Sequence, residues 1–230
     1  MAISSSTWRE DWVTEKCELA ARLNGGEAGG SYAEAAIVVC TALTALSAEL
    51  WSGRSIDRFR FIEMLARLGP SPSDNTKVST PLLIQHLEGS SRNSEAQQLR
   101  NTFGVPDTAL VVTGPMVDTN EDDILTLLPQ LGLKELRRFS YASLLYGEVR
   151  SSYAHEYRLG KQADWWPMTM LADQKISYCN RITDDLTRHR LVHFHFEWLA
   201  QLAIQIASSM DKTAATLPNP RPQVWWADGG

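Results

Sequence analysis

Apolar positions recur at helical spacing along most of the chain and switch to strict alternation once. Residues 8–23 follow Thr7-x-x-Glu10, and residues 32–51 follow Ser31-x-x-Glu34. Each string predicts a capping box, in which a hydroxyl and a carboxylate satisfy helix N–H groups reciprocally. The second helix is apolar almost all round, the pattern of a helix buried at the centre of a bundle. Gly53 ends it, and Ser55 is placed to cap a third helix to residue 68, with Ile56, Phe59, Ile62 or Met64, and Leu65 facing inward. Thr80-Pro81 fits the cap and first position of a short helix to Leu87. Residues 90–103 predict a further helix, polar on most sides, and 109–113 a short strand. Asn120 followed by Glu121, Asp122 and Asp123 starts another helix, because its N-terminal dipole favours negative charge. From the breaker Gly132 to the stop Gly160, residues 134–159 predict one long helix. Beyond it, 176–183 and 190–198 are rich in β-branched and aromatic residues. Val192, Phe194 and Phe196 alternate with Leu191, His193 and His195, which predicts a β-hairpin. A last helix, 198–210, carries Leu199, Leu202, Ala203 and Ile206 on one face.

The fold class is therefore mainly α, a helical bundle with a small β-hairpin after the long helix. One domain is expected over 1–215, with an inserted loop and helix region at about 70–120. A Pro-rich tail, 216–230, follows, and its Trp225-Trp226 pair is expected to dock on the body or on a partner.

Composition adjusts this picture in a few places. A length of 230 residues allows one sizeable core. The net charge of −5 argues against a general nucleic-acid coat protein. The charge is uneven, though: residues 134–161 hold six basic side chains against three acidic, and Arg181, Arg188 and Arg190 follow. A local patch of this kind suffices for a short RNA contact, while a solvated helix face is the plainer reading of Arg137 and Arg138. Cys17, Cys40 and Cys179 are odd in number and far apart, which fits reduced thiols rather than a disulfide frame. No basic leader followed by an apolar segment opens the chain, and the apolar run 35–50 carries Thr and Ser. The expectation is a cytoplasmic protein without a membrane span. His193 and His195 share one strand face, as metal ligands can, with Cys179 across the hairpin. The same pattern is what the solvent face of a hairpin produces, and that is the reading adopted: no metal and no cofactor.

The long helix holds the candidate chemistry. Turning about 100° per residue, it places Ala142, Leu145, Tyr146, Val149 and Tyr153 in one stripe. Gly147, Ser151 and Ala154 fall nearly opposite, with His155 beside them. Small residues at spacings of four and three let a second helix approach closely, from this chain or another copy. Arg150 and His155 point about 140° apart and bracket that small face. Two copies packed there would bring two arginines and two histidines together at a symmetry axis. Histidine exchanges protons near neutral pH, and arginine grips phosphate with paired hydrogen bonds. Such a set can cleave RNA without metal. A structural or surface role is the competing reading, since Arg-x4-His arises often by chance.

The string Arg150-x4-His155-x-Tyr157, within LLYGEVRSSYAHEYRLGK, resembles the Arg-x4–6-His signature of the HEPN superfamily. The resemblance implies a dimeric α-helical bundle and, for many members, metal-independent endoribonuclease activity in toxin–antitoxin, abortive-infection and CRISPR systems. It implies Arg150 and His155 as catalytic and Ser151 and Tyr157 as accessory, Tyr157 being the position that some toxin members have modified. Arg158 and Lys161 are then RNA-binding. The partners implied are RNA, a second copy, and an antitoxin or regulatory protein. Ser151 departs from the Asn, Asp or His that active members often carry after the arginine. The alternative is a non-catalytic HEPN-fold module for dimerisation or RNA or nucleotide binding. Further off stands an all-α interaction protein unrelated to HEPN.

Overall fold

The apolar helix read as central is central. The computed structural model describes residues 7–69, 72–107, 111–164, 175–182, 188–213 and 221–230. In it α2 (Tyr32–Leu50) packs against α1 (Trp8–Asn24), α3 (Asp57–Leu68) and α12 (Phe196–Thr213). Its Ala35, Ala36, Val39, Leu43 and Leu46 are almost wholly buried. Removing one such Val or Leu side chain from water contributes roughly 1.5–3 kcal/mol. By length and composition alone α2 is apolar enough to cross a membrane; here it is the inner helix of the bundle.

Between α3 and the sheet lie α4 (Pro72–Thr76), α5 (Thr80–Gly89) and α6 (Asn93–Phe103). Strand β1 (Val111–Thr113) follows, then α7 (Gly114–Val117), α8 (Glu121–Leu127) and α9 (Leu133–Arg137). The expected hairpin is β2 (Ile176–Ile182) with β3 (Arg188–Phe194), antiparallel, in the register Tyr178↔Val192. β1 joins it antiparallel, Val112 opposite Tyr178, so the sheet has three strands. The chain is thus mainly helical with one small antiparallel sheet. Ala109 and Leu110, the aromatic segment 165–170, the hairpin turn 183–187 and the start of the Pro-rich tail, 216–220, lie outside the described residues.

Several predicted caps are corrected by tertiary partners. Ser31 and Glu34 form the capping box expected. Thr7 does not: its hydroxyl bonds the Asp11 carboxylate, and the first turn of α1 is met instead by Asp211 of α12, which accepts from Glu10 N at 3.0 Å. Ser55 lies in the left-handed region at φ 59°, one residue before the cap position. Ser79, not Thr80, caps α5. The histidine-bearing face of β3 is not a solvent face. His193 and His195 are both buried, because Tyr32 of α2 and the chain at Asp164 cover it.

The tail docks on the body. Trp225 packs against Trp51 and Phe59, and Trp226 N donates to the fully buried Glu63 at 2.6 Å. Arg137, read as part of a solvated face, is buried beneath the tail.

Candidate functional site

The long helix expected over 134–159 is interrupted once, at 138–140, and ends early, at Glu156. Ser140 has extended backbone and caps a new start, because the chain here pairs with residues 77–79: Ser79 N donates to Phe139 O and Tyr141 N to Lys77 O. The motif helix then runs as α10 (Tyr141–Leu144), a π-helical segment (Leu145–Ser151) and α11 (Ser152–Glu156). A π turn closes i→i+5 hydrogen bonds and so rotates everything after it relative to a regular α-helix. Ser152 Oγ donates to Gly147 O, five residues back, at 2.9 Å. The apolar stripe survives: Ala142, Leu145, Val149 and Tyr153 are buried, with Tyr146 half-buried against Phe61. Gly147 and Ala154 are exposed and Ser151 is half-buried.

Arg150 leaves this segment toward α2. Its Nε donates to Thr44 Oγ1 at 3.2 Å, and its guanidinium lies 5.3 Å from the Tyr146 ring centre. It lines a cavity of about 110 Å³ with Cys40, Thr41, Tyr153 and Ala154. Among the described residues it forms no ion pair. Burial pushes the Cys40 thiol up to about 12, with the Arg150 charge pulling the other way. His155 is exposed on the last turn of α11, outside that cavity, and makes no hydrogen bond among the described residues. Within one protomer, therefore, Arg150 and His155 do not converge on one point. Ser151 points elsewhere again, into a groove with Ser143 and Gly147.

No protein-family model, curated protein or solved structure matches the chain.

Tyr157 ends the helix in the left-handed conformation, φ 53°, where Gly160 was expected to be the stop. That conformation is unfavourable for a side chain with a Cβ. Its hydroxyl donates to Glu34 Oε1, while Glu34 Oε2 accepts Ser31 N at 2.7 Å in the capping box of α2. Ser31 first, and Tyr157 second, hold the Glu34 carboxyl down at about 2. The end of the motif is thereby tied to the start of the central helix. Thr44 and Glu34, which hold the motif in place, were not singled out beforehand as contacts of it. The one sequence signal was Glu34's place in a capping box.

Gly160 has another task. Its N donates to Glu148 O at 2.7 Å, and a Cβ there would lie 2.0 Å from Glu148 Oε2 and 2.9 Å from Glu148 Cα. Gly160→Ala is expected to cost about 1–3 kcal/mol, the usual range for overpacking. Urea unfolding checks this; an unchanged midpoint would mean that the 157–163 loop shifts freely.

The other predicted positions separate. The Arg158 guanidinium is taken by Glu156, at 2.6 Å from Nε. Lys161 is exposed and lines a wide groove with Arg158 and Arg181. The residues weighed as metal ligands are each engaged by protein: Cys179 Sγ donates to Asp164 Oδ2, His193 Nδ1 to Asp164 O, and His195 Nε2 is hydrogen-bonded to Ser177 Oγ at 2.6 Å. Burial, and then the neighbouring His193, push His195 down to about 4. Among the described residues, no three His, Cys, Asp or Glu side chains are grouped to hold a metal.

Proposed function

We propose that the chain is a metal-independent endoribonuclease of HEPN type, acting as a homodimer in a bacterial toxin–antitoxin, stress or antiphage setting. The observation that supports this best is the state of Arg150, a half-buried guanidinium that meets no carboxylate among the described residues and shares its cavity with Ala154, which the exposed His155 follows. A guanidinium left in this state is ready for a phosphate. Two copies packed about Ala154 and His155 would bring each copy's His155 toward the other copy's Arg150. In that arrangement a histidine takes the proton from a 2′-hydroxyl, the 2′-oxygen attacks phosphorus, and Arg150 stabilises the charge on the phosphoryl oxygens. The 5′-oxygen leaves with a proton from an acid group.

The test is cleavage of single-stranded RNA by purified protein in excess EDTA. His155→Ala and Arg150→Ala should each lower the rate at least about a hundredfold, the lower end of what a positioned acid–base group contributes. Equal cleavage by wild type and both variants would reject this site. A second reading, a non-catalytic HEPN-fold module, draws support from the Arg150–Thr44 and Tyr157–Glu34 bonds, which give two motif residues structural partners inside the bundle. Wild type that binds RNA and never cuts it would favour that reading.

A further inference from the structure

On the other side of the π-helical segment from Arg150 lies a groove of about 400 Å³. It is lined by Ser143, Gly147 and Ser151, spaced by four along the motif helix, and by Gln162. Arg58 of α3 and Arg138, just after α9, line it as well. Both arginines are exposed, and among the described residues neither side chain forms an ion pair or hydrogen bond. That sets them apart from the arginines around them. Arg60 pairs with Asp57, Arg67 with Glu63 and Arg137 with Glu121. Among the described residues lining the groove the one carboxylate, Glu148, is half-buried and turned to Gln162 N, which donates to it at 2.9 Å. His86, over Phe139, adds a half-exposed ring to the wall. A second basic cavity, of about 460 Å³, does not compare. There Arg100 is met by Glu88 and Asp107, and Arg188 and Arg190 donate to the carbonyls of Asp107 and Pro106.

We propose that this groove is a phosphate-binding site, in which Arg58 and Arg138 take the phosphate oxygens and the serine hydroxyls and Gln162 complete the hydrogen bonding. Paired guanidiniums suit a phosphate because each presents a planar fork of donors. The volume accommodates a mononucleotide, since small-ligand pockets span about 300–1,000 Å³. An RNA strand could supply the same phosphate group. The site does not depend on the ribonuclease reading, because it uses neither Arg150 nor His155.

Calorimetric titration with inorganic phosphate, AMP and a short single-stranded RNA tests it. Wild type should bind at least one of the three, and Arg58→Ala/Arg138→Ala should bind it at least tenfold more weakly, since each charge-assisted bond lost is worth about a factor of ten. AMP binding identifies a nucleotide as the ligand; RNA binding without AMP binding identifies a strand phosphate. Ser151→Asp, which sets a carboxylate in the groove, should weaken binding as well. Arg138 holds no other described residue and Arg58 lies only over the Phe59 ring, at 5.7 Å, so the unfolding midpoint of the double variant should stay close to wild type. The proposal fails if the double variant binds as tightly as wild type, or if wild type binds none of the probes. RNA cleavage that persists with unchanged binding in the double variant would reject the groove alone, and phosphate binding without any cleavage would reject the ribonuclease alone.

Discussion

Arg137→Ala is expected to lower the stability of the fold by about 3–5 kcal/mol, the cost of breaking a buried, hydrogen-bonded ion pair from one side. Arg138→Ala, one residue on, is expected to leave stability at the wild-type value. The difference lies in what each guanidinium touches. Arg137 bonds both oxygens of Glu121, at 2.8 and 2.9 Å, and donates to Trp226 O and Gly230 O at 2.7 and 2.9 Å. It also lies 4.5 Å from the Trp226 ring centre. Removing it strands a carboxylate and two carbonyls and loosens the docked tail from Glu63, Trp51 and Phe59. Arg138 touches none of these and stands exposed. Urea denaturation of the two variants, followed by tryptophan fluorescence, checks the contrast. Equal midpoints would mean that the tail contributes nothing to stability.

The second large effect belongs to Asp118. Its carboxylate accepts from Tyr141 Oη, from Tyr178 Oη at 2.6 Å and from Thr80 N at 3.0 Å. The three donors come from the motif helix, β2 and α5, so one buried group joins three parts of the molecule. Asp118→Ala leaves three buried donors without an acceptor. At about 1–3 kcal/mol for each stranded group, the loss should be at least about 3 kcal/mol. Burial pushes the Asp118 carboxyl up to about 7, and the three donors pull it down without offsetting that. An unfolded aspartate titrates near ~3.9, so between these values the folded protein holds a proton that the unfolded chain has released. The stability linked to this proton is full below about pH 4 and is lost as pH rises through about 7. The deficit of Asp118→Ala should therefore be larger at pH 5 than at pH 8. Equal deficits at the two pH values would show that Asp118 stays ionised in the fold.

Both effects mark where the sequence stops being legible. Nothing in the string around Arg137 and Arg138 distinguishes a buried clamp from a solvated side chain; the difference comes from a tail about ninety residues downstream. Asp118 sits in the region read as an insertion, and its partners lie 23, 38 and 60 residues away. The candidate site shows the same limit. Arg150, His155 and Tyr157 could be picked from the string alone, because their chemistry is carried by residue type and spacing. What Arg150 and Tyr157 touch could not, because Thr44 is 106 residues from Arg150 and Glu34 is 123 from Tyr157.

By itself, the sequence determined the local and periodic features of this protein. These are a mainly helical chain, an inner apolar helix at 32–50, the capping box at Ser31, the antiparallel hairpin and the buried stripe of the motif helix. Each follows from side-chain pattern over a few turns or a few alternating positions. Tertiary structure alone decided which helix ends are capped from afar, why the motif helix restarts at Ser140 and winds as π after Leu144, and why both faces of β3 are buried from Arg190 onward. It also separated Arg150, His155 and Ser151 onto different surfaces. Those outcomes depend on backbone pairing and buried polar contacts between segments far apart in the chain, where the need to satisfy every buried donor and acceptor overrides local preference.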